Sequence, residues 1–91
     1  MKYSIEFAEE LIKVLEKLKK SNPVMFKKLG KIILDISEHP RSGIGHPEPL
    51  KGGEDMVYSR HLSAHDRVVY RIFDDTVVVL VVAIEGHYND K

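Results

Sequence analysis

Residues 67–85 read RVVYRIFDDTVVVLVVAIE. Two β-branched, apolar runs flank Asp74-Asp75, a pair suited to a tight reversal. The stretch therefore predicts a β-hairpin, with strands over 67–73 and 76–85. The second run is apolar at nearly every position, so both its faces are expected to be covered and the strand lies inside a sheet. Upstream, MVYSRHLS (56–63) alternates Val57, Ser59, His61 and Ser63 against Tyr58, Arg60 and Leu62. That period of two marks another strand, joined to the hairpin by a three-residue turn, AHD (64–66). Residues 60–62 and 66–68 then lie close together across that turn.

The N-terminal half has a different period. KYSIEF (2–7) alternates Tyr3, Ile5 and Phe7 with polar partners, as a strand does. From Ala8 the apolar residues Leu11, Ile12, Leu15 and Leu18 recur at threes and fours, one stripe of a helix. Asn22 is a good N-cap and Pro23 suits a first helical position. A second helix follows, with Phe26, Leu29, Ile33 and Ile36 inward, ending before His39-Pro40 because a residue preceding proline leaves the helical region. Residues 39–56 hold four glycines and three prolines, a density at which no regular element is expected. A loop this long in a small domain points to function. The predicted order is β-α-α-β-β-β: an α+β fold, an antiparallel sheet with a helical hairpin on one face.

With 91 residues the chain is expected to be one domain, 1–91, whose modest core favours a shallow groove over a deep cleft. It is 43% hydrophobic and 31% charged, as folded proteins are, and it has no cysteine for a disulfide, a thiolate nucleophile or a Cys-based metal site. MKYSIEFAEE lacks a signal-peptide core, and TVVVLVVAI is far short of the ~20 residues of a membrane-spanning helix. The expected location is the cytoplasm, with no membrane partner. Net charge is zero, but its distribution is uneven: residues 1–38 carry eight lysines against six acids, while residues 72–91 carry four acids against one lysine. A basic face can therefore coexist with a neutral total. Lys13, Lys17 and Lys20 follow one helical stripe, and Lys27, Lys28 and Lys31 lie mostly outward on the next helix.

Polar residues cluster where a scaffold would not need them. Glu48 stands between Pro47 and Pro49, which restrict the backbone on both sides. Lys51 follows three residues later. Arg60 and Arg67 lie on neighbouring strands, and His87-Tyr88 ends the apolar run. If these side chains share a face, they suit RNA cleavage through its own 2′-hydroxyl. Glu takes the 2′ proton, His protonates the 5′ leaving oxygen, and Arg grips the charged phosphate through its forked donors. No metal-ligand spacing appears, and no cofactor is implied. Plainer roles exist for each residue: a solvated loop carboxylate for Glu48, strand-face ion pairs with Asp66 or Glu54 for the arginines, a sheet-edge cap for His87-Tyr88. His39, His46, His61 and His65 read as surface residues, and the lysine stripes as solvated helix faces.

In order along the chain, GIGHPEPLKG (43–52), YSR (58–60), HDRVVY (65–70) and His87-Tyr88 resemble the motifs of the RelE/ParE superfamily of toxins, and within it the YoeB/Txe family of toxin–antitoxin systems. His46 stands where that family has Lys, and Tyr58 where it has Trp. The resemblance implies a RelE-like fold and a ribosome-dependent mRNA endonuclease, with a YefM-type antitoxin, the ribosome and mRNA as partners and a homodimer as a further assembly. It assigns the general base to Glu48, the phosphate-stabilising arginine to Arg67 and the general acid to His87. Arg60, Tyr88 and Lys51 fall on substrate-binding positions, and the six lysines on a ribosomal RNA-facing surface. The alternative is a non-cleaving RelE-like module that only binds an antitoxin or the ribosome. The segment from Asp74 to His87 is about two residues longer than is usual in the family, an excess that a bulge or longer turn would absorb, and Glu85-Gly86 replace residues more often basic or aromatic.

Overall fold

The structure, a computed structural model, describes residues 2–50 and 56–86. Strand β1 (Ser4–Phe7) leads into helices α1 (Leu11–Ser21) and α2 (Pro23–Glu38), then strands β2 (Glu48–Pro49), β3 (Val57–His61), β4 (Arg67–Phe73) and β5 (Val78–Glu85). The five strands form one sheet in the order β1-β5-β4-β3-β2. The α+β architecture agrees with the sequence reading, with two corrections. The sheet is mixed, because β1 runs parallel to β5 while the other pairs are antiparallel. The helical hairpin between the first strand and the rest makes β1 return in that direction. Second, the Gly/Pro-rich segment is not wholly irregular, for Glu48-Pro49 pair with β3 as a short edge strand. Proline is tolerated there because an edge leaves one row of donors unused.

The helices form where expected. The Asn22 side chain caps α2 by accepting a hydrogen bond from the Met25 amide at 3.2 Å, with Pro23 in the first turn. Leu11 and Leu18 of α1 and Leu29, Ile32 and Ile36 of α2 are buried in one core with Val68, Tyr70, Ile72, Val79, Val81 and Ile84. Ile12, expected inward, is 43% exposed. No described helix is long and apolar enough to cross a membrane.

β5 lies inside the sheet, as its two-sided apolarity required. It starts two residues later than expected, because residues 74–77 form the turn, closed by the Val77 amide donating to the Asp74 carbonyl at 3.3 Å. Farther along, the ladder steps from Ala83↔Val69 to Val81↔Tyr70, leaving Val82 without an opposite residue. This bulge takes up one extra residue and keeps Ile84 on the core side.

Candidate functional site

The two arginines singled out by the sequence do not share a face. Side chains alternate along a strand, and directly paired residues point the same way. Arg60 pairs with Val68, a core residue, whereas Arg67 pairs with His61, and both of those are exposed. Arg60 therefore belongs to the helix side of the sheet and Arg67 to the opposite side.

Arg60 is only 1% exposed. All five of its N–H donors are used. Nε donates to the Tyr70 hydroxyl at 3.0 Å, Nη1 to the Asp35 carboxylate and to the Ile44 carbonyl at 3.1 Å, and Nη2 to the carbonyls of His39 at 2.6 Å and Ser42 at 2.8 Å. Tyr70 passes the network on, donating to the Pro40 carbonyl at 2.6 Å. This corrects the expectation of a substrate contact. Arg60 fastens the 39–45 loop to the sheet, and its charge is neutralised inside the protein. Burial raises the pKa of Asp35, but the hydrogen bond from Arg60, with the Ile44 amide and nearby positive charge, outweighs it and holds the carboxyl below its ordinary range. Burial likewise pushes the Tyr70 phenol up. Gly43 adopts φ +121°, and a Cβ there would stand 1.9 Å from an Asp35 carboxylate oxygen, so only glycine lets the loop pass this anchor.

The anchored loop delivers Glu48 to the other face. Glu48 pairs with Ser59, which pairs with Val69, which pairs with Ala83. A parallel row, two residues along, is His61–Arg67–Glu85. Glu48 and Arg67 thus sit on one face, separated by two strand spacings and one two-residue step, roughly 12 Å between Cα atoms. Both side chains are long and exposed, and Ser59 and Val69 between them are small and buried. Arg67 Nε donates to Glu85 at 3.0 Å, each side chain being 47% exposed. Such an exposed pair holds about 0–1 kcal/mol. Among the described residues the terminal nitrogens of Arg67 make no hydrogen bond.

Two imidazoles join this face that were read as surface residues. His61 lies across the strand from Arg67, and its ring meets that of His46 edge-on, with centroids 6.3 Å apart. His46 holds φ 55°, an uncommon backbone for a non-glycine residue. The alternation Ser59–His61 together with the 61↔67 pairing was the signal in the sequence. His61, Arg67 and Glu85 line a depression of about 270 Å³ together with Gly86, whose φ is +132° and where a Cβ would stand 2.0 Å from the Asp66 carboxylate. Lys51, His87 and Tyr88 lie outside the described residues. Lys13, Lys17 and Lys20 on α1 and Lys27, Lys28 and Lys31 on α2 are all exposed. No group of three or more His, Cys, Asp or Glu among the described residues has an arrangement that would hold a metal ion.

The profile of the family described as the YoeB-like toxin of bacterial type II toxin-antitoxin systems matches residues 7–88. The chain belongs to this family. A toxin YoeB from Streptomyces coelicolor is 39% identical over 54 residues, which are 59% of this chain and 64% of that relative, so the match spans less than two thirds of the relative's length. Among solved structures, a YoeB/ParE toxin from Agrobacterium tumefaciens superposes with a TM-score of 0.83 at 27% identity, over 93% of this chain and 99% of the other. The chain in a YoeB-YefM complex from Staphylococcus aureus gives 0.79 at 26% identity, over 97% and 100%. The YoeB-like profile runs through Tyr88 and so includes both residues of the terminal His-Tyr pair.

Proposed function

We propose that this YoeB-like chain is the toxin of a type II toxin–antitoxin system, and that it cuts mRNA on the ribosome without a metal. The observation that carries the reading is the shared face of Glu48 and Arg67, held there by β2 pairing with β3 and β3 with β4. Glu48 takes the proton of a 2′-hydroxyl. The 2′ oxygen attacks the adjacent phosphorus, and the bond to the 5′ oxygen breaks, leaving a 2′,3′-cyclic phosphate and a 5′-hydroxyl. Arg67 balances the charge that gathers on the phosphoryl oxygens, the kind of electrostatic help worth about 10²–10³ in rate. His87 protonates the leaving oxygen, and Lys51 and Tyr88 hold the substrate. Lys13, Lys17, Lys20, Lys27, Lys28 and Lys31 face RNA on the ribosome. A YefM-type antitoxin covers the groove, by likeness to the chain in the YoeB-YefM complex. The chain works as one domain in the cytoplasm, where ribosomes are.

The test is a translated message in a cell-free system, with cuts mapped by primer extension. Wild type produces codon-phased cuts that Glu48→Ala, Arg67→Ala and His87→Gln remove while antitoxin binding survives. Binding without any cut on translating ribosomes favours the non-cleaving module instead, and cuts on naked RNA favour a free ribonuclease.

A further inference from the structure

A second concavity adjoins the Arg67 depression. It measures about 620 Å³ and is lined by Lys28, Lys31 and Ile32 of α2, Ile44 and Gly45 of the anchored loop, and the end of β3 with the residues after it. His61 and Ala64 belong to both walls, so the two concavities meet around the end of β3. The floor of the larger one, a trough, is apolar, and Ile44, 51% exposed, stands on it as a bare aliphatic surface. Its rim is cationic. The loop carrying Ile44 is fixed from behind, since Ile44 and Ser42 both give their carbonyls to the buried Arg60 guanidinium and the Ile44 amide donates to Asp35.

We infer that this trough is a nucleotide subsite: it holds the RNA residue flanking the scissile phosphate, with the base against Ile44 and the next phosphate against Lys28 and Lys31. Three observations fit that occupant. Single strands are held by base-stacking rings beside a positive groove, and here His61 supplies the ring, Ile44 an apolar neighbour and Lys28 and Lys31 the charge. The trough adjoins the Arg67 depression at His61 and Ala64, so a strand leaving that arginine around the end of β3 reaches it. Its volume of about 620 Å³ lies in the range of sites that take a small ligand or a single nucleotide. His61, at the junction, serves as the contact that turns the strand between the two compartments. This inference rests on the RNA-cleaving reading of the neighbouring groove.

The experiment uses the full chain and a short fluorescein-labelled 2′-O-methyl RNA, which binds but cannot be cut. Anisotropy titrations at several salt concentrations compare wild type, Lys28→Ala/Lys31→Ala, Ile44→Ser, and a charge control, Lys2→Ala/Lys19→Ala. The trough variant is expected to bind at least tenfold more weakly at low salt. Its plot of log K against log salt should be shallower by about 0.7 for each phosphate no longer neutralised. Ile44→Ser weakens binding severalfold with the slope unchanged, and the control pair leaves the slope alone. Equal slopes for the trough variant and the control overturn the subsite. So does a labelled glutamate-rich peptide that binds wild type more tightly than the RNA and is released by the trough substitutions, which would make the trough a protein-docking surface. If the trough variant behaves as expected but wild type cuts no mRNA on ribosomes, the nuclease reading falls and the trough remains an RNA-binding surface with no scissile phosphate beside it. If wild type cuts and the trough variant binds RNA as wild type does, the subsite falls and the nuclease reading stands.

Discussion

Two arginines seven residues apart have opposite tasks, and the pairing of β3 with β4 assigns them. Arg60 is structural. Removing it leaves Asp35 and three loop carbonyls without their donor inside the protein, so Arg60→Ala should destabilise the fold by about 3–5 kcal/mol, measured by urea or thermal unfolding. Arg67 is half exposed on the open face, and Arg67→Ala should change stability by no more than about 0.5 kcal/mol while removing cleavage. Similar losses for the two variants would contradict this division. Asp35 gives the Arg60 anchor a pH signature. Its folded pKa is depressed, so the stabilisation it brings is full above the unfolded value of about 3.9 and fades as pH falls through the folded value. Asp35→Asn should therefore be less stable than wild type at neutral pH, with the gap narrowing below about pH 4; melting temperatures from neutral to strongly acidic pH would read it. The sequence showed that both arginines were noteworthy but not which faced inward. A charged residue in an alternating strand looks solvent-facing until the partner that neutralises it is known, and Asp35 lies 25 residues away on a helix.

At the level of elements, the strands and helices were legible because their apolar periods are clean, from Leu11–Leu18 at helical spacing to the unbroken run over 77–84. β2 was not, because two residues, one of them a proline, carry no period and pair only where β3 offers an edge. The parallel placement of β1 was also hidden, since it depends on where the helical hairpin returns the chain. The excess length of the last hairpin has a local account. Val82 is the unpaired residue, and every pair on either side of it continues in register without it. Deleting Val82 should leave a folded protein with the same pairing, its melting temperature within several degrees of wild type. An unfolded product, or amide cross-peaks showing a shifted β4–β5 register, would mean that the bulge is needed to close the sheet.

For the whole molecule, neutral net charge conceals a polarised surface. The exposed lysines sit on α1 and α2, while Glu48, Arg67 and Glu85 occupy the sheet's other face. Ribosome association should accordingly weaken steeply with salt, and Lys13→Ala/Lys17→Ala/Lys20→Ala should reduce both affinity and salt slope in a pelleting assay while the fold is retained. The central claim is that Glu48 and Arg67, brought to one face by β2–β3–β4 pairing, act on a single phosphate. Single-turnover cleavage of mRNA on ribosomes by wild type, Glu48→Ala, Arg67→Ala and the double variant tests it most directly. Groups serving one transition state act as a unit, so each single change should slow cleavage about 10²–10⁴-fold and the double should be little slower than the worse single. Single variants that cut at the wild-type rate, or a double variant slowed by the full product of the two effects, would contradict it.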